Sequence, residues 1–216
     1  MLETLQISEW QTPASAYEER EIGAFRLKRT VYEPGYYKLY RVKGYTYFQV
    51  MKPIPIMSLQ ECRDGEWRDW MIDDPFNYLA MKEYCGSLKG RVLTAGLGLG
   101  LAVQELAKNG EVTEVVVVER SPEVMTLVGG YMPSSVNLVL DDFWAYTEQA
   151  NGWDSILLDI WVTKGKEQHD RVMEEEARPA REKLKERFPS ATLVLFGFAP
   201  LSDIDIQVPY LRKVAV

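Results

Sequence analysis

Residues 91–119 read RVLTAGLGLG LAVQELAKNG EVTEVVVVE. An apolar run enters three glycines at alternate positions, Gly96, Gly98 and Gly100. A helical pattern follows. A valine-rich run then ends on an acid, Glu119. Strand, glycine turn, helix and strand in that order predict a βαβ unit. Glycine lets the backbone approach a ligand with no Cβ in the way. An acid at the end of the second strand is placed to accept hydrogen bonds from a ribose. The stretch therefore implies a site for an adenosine-containing cofactor.

The spacing bears on which cofactor. A dinucleotide fingerprint is GxGxxG, and its third glycine position is Leu101 here. The third glycine comes one residue early, at Gly100. This GxGxG form resembles that of class I S-adenosylmethionine (SAM)-binding proteins. A dinucleotide site holds a pyrophosphate at the helix N-terminus, whereas SAM carries no phosphate and needs a close, curved backbone. NAD or FAD, or a tight turn with no ligand, remain the alternatives.

Further positions resemble the spermidine synthase family, over roughly residues 64–159. The family has an Asp-Gly turn, and Asp64-Gly65 occupies it. Its Asp-Glu-Phe-x-Tyr-His-Glu-Met helix is matched at Asp, Phe, Tyr and Met by Asp74-Pro75-Phe76-Asn77-Tyr78-Leu79-Ala80-Met81. Its second strand and acid are matched by VVVVERSPEV. The departures fall on catalytic positions. The His-Glu pair is Leu79-Ala80, and the Asp-Ser-x-Asp loop is Asp159-Ile160-Trp161-Val162, which keeps only the first Asp. A polyamine is multiply cationic, and half of the carboxylates expected for one are missing. The resemblance implies the fold and the cofactor more than it implies aminopropyl transfer.

On this reading Gly96, Gly98 and Gly100 pass under the methionine part of SAM or decarboxylated SAM, and Glu119 accepts from the ribose. Asp141 or Asp142 accepts from the adenine amino group, with Phe143 against the ring. A plain helix N-cap is the other role for that pair. Asp159, at the end of the fourth core strand, faces the crevice where open α/β sheets bind ligands. It is the candidate general base or substrate contact. Tyr78 and Trp161 are candidate substrate contacts, and Trp161 is equally readable as packing under its loop.

Around this unit the pattern predicts an α/β fold, with a doubly wound, mostly parallel Rossmann-like sheet. Core strands are expected at 91–95, 114–119, 136–140, 155–159 and 192–198. Helices are expected at 75–85, 101–108, 122–128, 143–150 and 166–187. Asp74 and Ser121 stand at helix starts, each followed by proline. Residues 24–61 carry short β-like runs separated by Pro34-Gly35, Lys43-Gly44 and Lys52-Pro53, which predicts a small antiparallel sheet. The expected division is a β-rich region at 1–72 and the cofactor domain at 73–216. Residues 1–22 read as a loop or short helix. Eighteen residues follow Phe198, too few for a helix and a terminal hairpin. The sheet edge is therefore expected to be closed by 206–216 or by a second chain in a homodimer.

The bulk features point the same way. With two cysteines and one histidine, a disulfide scaffold and a zinc site are both disfavoured. His169 reads as an exposed residue of the charged helix. No apolar run reaches membrane-spanning length and the N-terminus lacks a signal-peptide pattern, so a cytoplasmic protein without membrane contact is expected. The net charge of −7 argues against general nucleic-acid binding. Residues 26–52 hold seven bases and one acid, interleaved with tyrosines. A solvated hairpin with lysine-protected edges accounts for them better than a nucleic-acid surface. The functions these features allow are a SAM-dependent methyltransferase acting on a small molecule or side chain, a polyamine aminopropyltransferase, and a non-catalytic nucleoside-binding scaffold.

Overall fold

The computed structural model describes residues 5–41, 44–163 and 165–204. Among the described residues seven strands come first: β1 (Leu5–Ile7), β2 (Arg20–Ile22), β3 (Phe25–Tyr32), β4 (Gly35–Arg41), β5 (Gly44–Val50), β6 (Ile54–Arg63) and β7 (Glu66–Ile72). Then α1 (Pro75–Gly86), β8 (Gly90–Ala95), α2 (Leu101–Lys108), β9 (Val112–Glu119), α3 (Pro122–Val128), β10 (Val136–Leu140) and α4 (Phe143–Gln149) follow. The remaining elements are β11 (Ser155–Leu158), α5 (Gly165–Val172), α6 (Arg178–Arg187) and β12 (Thr192–Leu195).

The central sheet is parallel, with order β10-β9-β8-β11-β12. Side chains alternate across a strand, so each strand feeds two cores. Val92, Val115, Val117, Leu157 and Val194 face one way, with Met81, Leu101, Leu106 and Leu127 from the helices. Leu93, Val116, Ile156, Leu158 and Leu195 face the other way, with Phe143, Leu184 and Phe198. This is a Rossmann-like sheet. The chain's direction of winding reverses between β8 and β11, which opens a crevice at their carboxyl ends.

The N-terminal region is richer than one small antiparallel sheet. It forms an antiparallel sheet β2-β3-β6-β7 and a three-stranded sheet β1-β5-β4, in which β1 runs parallel to β5. Residues 5–22, expected as loop or short helix, supply two strands and a 3-10 turn at Pro13–Ala16. Leu27, Met57 and Leu59 share a core with Val92 and Leu101, so packing is continuous across residue 73. Asp73, fully buried, helps to join the two parts. Its carboxylate accepts the Met57 N–H at 2.6 Å and the Thr12 hydroxyl at 2.5 Å, and its carbonyl accepts the Trp10 indole at 2.7 Å.

Two elements differ from expectation for identifiable reasons. The helix expected at 166–187 is interrupted by a wide π turn at Met173–Ala177, where the Arg178 N–H reaches the Met173 carbonyl. Pro179 follows at once. Its ring would meet the Glu175 carbonyl in a regular helix and it has no N–H to donate, so the turn opens. The last core strand ends at Leu195 rather than Phe198, because the chain turns at Gly197, whose φ is +82°.

The β12 edge is closed by the residues just after it. Thr192 and Phe196 donate inward to Asp154 and Leu158. The outward N–H of Leu193 donates to Asp203 Oδ2 at 2.8 Å, and the Asp203 N–H donates back to the Leu193 carbonyl at 2.8 Å. Ser202 Oγ serves both the N–H and the carbonyl of Leu195, at 3.0 and 3.3 Å. Arg181 and Lys185 of α6 hold the Asp203 carboxylate. The strand expected within 206–216 lies outside the described residues. Among the described residues, no helix is long and apolar enough to cross a membrane.

Candidate functional site

The glycine turn leaves β8 at the centre of the sheet. Gly96, Gly98 and Gly100 all have positive φ, at +88°, +52° and +69°. Their surroundings differ. A Cβ on Gly96 would lie 2.8 Å from the backbone oxygen of Asp159, so the two strand ends meet here with no room for a side chain. A Cβ on Gly98 would lie 2.6 Å from the Met71 sulfur, and one on Gly100 would run into the Met132 thioether. Gly96 and Gly98 keep some exposure, whereas Gly100 is buried. Gly100 therefore serves internal packing, and Gly96 and Gly98 form the open part of the turn. The Gly98 N–H has no partner among the described residues. The N-terminus of α2 has no side-chain cap.

Glu119 is buried at the end of β9. One carboxylate oxygen accepts the Leu97 N–H at 2.8 Å and the other accepts the Ser121 N–H at 2.8 Å. The acid thus ties the glycine turn to the start of α3. A carboxylate has about four acceptor positions, so capacity remains for a ligand hydroxyl.

Asp141 and Asp142 follow β10, adjacent to Glu119 through the Asp141 N–H to the Glu119 carbonyl at 3.1 Å. Both are exposed. Asp142 caps α4, accepting the N–H groups of Trp144 and Ala145 at 2.9 and 3.0 Å. Asp141 accepts the Asp142 N–H at 2.8 Å. The capping role weighed for this pair falls to Asp142, and Asp141 keeps more free acceptor capacity. Phe143 turns inward and packs in the second core at 6% exposure.

Asp159 follows β11 directly, and its N–H donates to the Ala95 carbonyl at 3.2 Å. Part of the residue reaches solvent, but protein encloses the carboxyl group, and that burial pushes its pKa up to about 7. No hydrogen bond or charge from the described residues offsets the burial. Two residues on, the Trp161 indole donates to Glu176 Oε2 at 3.1 Å. Its ring meets Phe198 edge-on, with centroids 5.4 Å apart. His169, expected to be exposed, is partly buried and stacks on Phe198, with centroids 4.7 Å apart. Glu176 sits in the π turn, so the open turn and the Trp161 loop are linked.

Tyr78 lies elsewhere. It occupies the seam between α1 and α2, where its hydroxyl donates to Glu105 at 2.8 Å and its ring meets Trp10 edge-on. Gly96, Gly98, Glu119, Asp141 and Asp159 gather around the carboxyl ends of β8 to β11, and Tyr78 is not among them.

Three site neighbours escaped the sequence reading. Tyr17 donates its hydroxyl to the Leu99 carbonyl at 2.9 Å, accepts from Gln104 and stacks on Tyr131. Met71 accepts the Leu99 N–H on sulfur at 3.4 Å, and Met132 fills the space beside Gly100. These residues lie far from the turn in sequence, and nothing periodic marks them. Among the described residues, no group of three or more His, Cys, Asp or Glu gathers to hold a metal.

The strand order and the glycine turn define the class as a Rossmann-like α/β protein with its candidate site at the carboxyl end of the sheet. No family model matches the chain, and no curated protein matches it. Several solved structures are similar in part. Spermidine synthase from Thermotoga maritima is 16% identical over 58% of this chain and 48% of that chain, with a TM-score of 0.36. A fibrillarin/Nop5p complex is 20% identical over 64% and 70%, with a TM-score of 0.37. The plantazolicin methyltransferase BpumL, in complex with a pentazolic desmethylPZN analog and SAH, is 15% identical over 64% and 56%, with a TM-score of 0.40. The chain spans about half the length of the spermidine synthase that it matches. At these identities and scores the likenesses bear on neither the site residues nor the reaction.

Proposed function

We propose that the chain is a SAM-dependent methyltransferase acting on a small molecule or an exposed side chain. The observation that carries this reading is the pairing of the glycine turn with Glu119. A buried carboxylate fixes a turn whose Gly98 N–H is left for a ligand. Glu119 also takes the ribose hydroxyls, Asp141 takes the adenine amino group, and Asp142 and Phe143 shape that end of the pocket. Methyl transfer by direct displacement requires mainly that the nucleophile be positioned against the sulfonium. Asp159 stands where it can orient the acceptor or remove its proton. The Trp161 loop borders the acceptor, and Tyr78, which packs on Glu105 and Trp10, has no part in this reading.

The same reading takes residues 1–72 as an appended β region, 73–216 as the cofactor domain, the cytoplasm as the location, and a homodimer as the assembly. The second reading is an aminopropyltransferase using decarboxylated SAM. It is favoured only by the helix and turn positions shared with spermidine synthases. A non-catalytic nucleoside binder is the third, because a cofactor site does not entail turnover. Calorimetric titration with SAM, decarboxylated SAM, methylthioadenosine and NAD tests the cofactor. Binding of SAM and methylthioadenosine, with none of NAD, is expected. NAD binding in the absence of SAM binding overturns the proposal.

A further inference from the structure

The acceptor side of the crevice has a definite chemical character. Asp159, Ile160 and Trp161 leave the end of β11, and Phe196 and Phe198 leave the end of the adjacent β12. Ile160, Trp161 and Phe198 pack together in the second core. Glu176, the one further carboxylate described at this aromatic cluster, is engaged by the Trp161 indole. The Asp159 carboxyl has no polar partner among the described residues. The described side chains at these two strand ends are therefore aromatic and aliphatic, apart from the enclosed Asp159 carboxyl group and the His169 imidazole that stacks on Phe198.

A polyamine would bring two or more ammonium groups into this setting. Each buried ammonium needs its own carboxylate, since an unpaired buried charge is strongly destabilising. A flat neutral molecule has no such requirement. It gains from stacking against or edge contact with indole and phenyl rings, beyond the area buried. A single carboxyl group is then sufficient to take one proton.

Building on the SAM reading above, we infer that the acceptor is a neutral planar molecule with a weakly acidic O–H or N–H, a phenol or an azole. The acceptor ring lies against Trp161 and presents its oxygen or nitrogen toward the SAM methyl group. The new bond forms between that atom and the methyl carbon. The carbon–sulfur bond breaks, and its electron pair stays on sulfur to give S-adenosylhomocysteine. The acceptor proton passes to the Asp159 carboxylate. Trp161 sets specificity, and Glu176 is a positioning residue that holds the Trp161 indole.

The test uses the full chain and keeps the two readings apart. SAM affinity is first measured by calorimetry, and its absence removes the underlying cofactor reading. With SAM bound, transfer of labelled methyl is measured to 4-nitrophenol, 2-naphthol and benzimidazole, and to putrescine and spermidine. Methylation of at least one aromatic acceptor and of neither polyamine is expected. Trp161→Ala should raise the acceptor KM tenfold or more with SAM affinity unchanged, and Trp161→Phe should restore most of the loss. Glu176→Gln should raise the acceptor KM less than Trp161→Ala. SAM binding with no methylation of any aromatic acceptor, or with methylation of a polyamine, overturns the inference. So does a Trp161→Ala variant that binds SAM normally with an unchanged acceptor KM.

Discussion

The Glu119 carboxylate accepts the Leu97 N–H at 2.8 Å, which joins the end of β9 to the glycine turn after β8. One acid therefore shapes the turn and, in the proposed function, also takes the ribose. Glu119→Ala removes both functions, and SAM affinity should fall by about 1.5–3 kcal/mol, the range for hydrogen bonds to a charged group. Glu119→Gln, which can still accept from Leu97, should lose less. Calorimetry on the three proteins decides. Equal affinities for wild type and Glu119→Ala would remove Glu119 from the site.

Gly96 is the position at which the turn tolerates no side chain. Gly96→Ala places a Cβ 2.8 Å from the Asp159 backbone oxygen at a φ of +88°. Left-handed strain of about 1–2 kcal/mol adds to overpacking of about 1–3 kcal/mol. Urea unfolding should show a loss of about 2–5 kcal/mol. Gly86→Ala, at the end of α1 with nothing within 4 Å, is the control and should be neutral or slightly stabilising. Equal midpoints for the two variants would contradict the close approach.

Asp74 makes stability depend on pH. It is buried at the N-terminus of α1, and burial pushes its carboxyl up to about 6, against hydrogen bonds from Phe76 and Asn77 that lower it. The folded state therefore binds this proton more tightly than the unfolded state, whose value is near 3.8. The contribution is fully present below about pH 4. It is lost as pH rises to about 6, by up to roughly 3 kcal/mol. Asp73, also raised by burial, adds in the same direction. Asp74→Asn does not titrate and still caps the helix, so the decline between pH 4 and 6 should become shallower. Asp74→Ala should additionally lose about 1 kcal/mol of capping. Urea midpoints at pH 4, 5 and 6.5 measure both effects, and an unchanged slope in Asp74→Asn would refute the assignment.

Asp159 should set the pH profile of turnover. A carboxyl group pushed up to about 7 by burial is available as a base only once ionised. The rate of methyl transfer should rise with pH through about 7, and Asp159→Asn should lower the rate and flatten the rise. A profile that is flat from pH 6 to 8 in the wild-type protein would exclude Asp159 as the base.

The assembly proposal rests on the N-terminal β region. The β12 edge is already satisfied by Ser202 and Asp203, so it offers no pairing surface. Among the residues whose burial is described, Val31, Tyr36 and Met51 are the large exposed apolar residues of the N-terminal part, at 54%, 72% and 48% exposure. Light scattering should give a two-chain mass that Tyr36→Ser reduces to one chain. A mass of one chain for the wild-type protein at all concentrations refutes the dimer.

The order of the core elements was legible from 91–119 outward because local rules decide it. Glycine at positive φ fixed the turn, a valine run fixed β9, and Asp74 and Ser121 set helix starts. α2, α3 and β10 have the expected boundaries. The strand-end acids Glu119 and Asp159 were legible for the same reason, since in a parallel sheet a position at the end of a strand is a position at the crevice. Contacts between distant segments were not legible. Met71 beside Gly98, Tyr17 on Leu99, Asp203 on the β12 edge and His169 against Phe198 each depend on how separate elements pack. A side chain in an irregular segment carries no periodic signal of what it will touch. Sequence by itself determined the order of the strands and helices of the central sheet after residue 73. Tertiary structure decided which side chains hold the glycine turn, what closes the sheet edge and which carboxyl groups are buried, because burial depends on elements that are far apart in the chain.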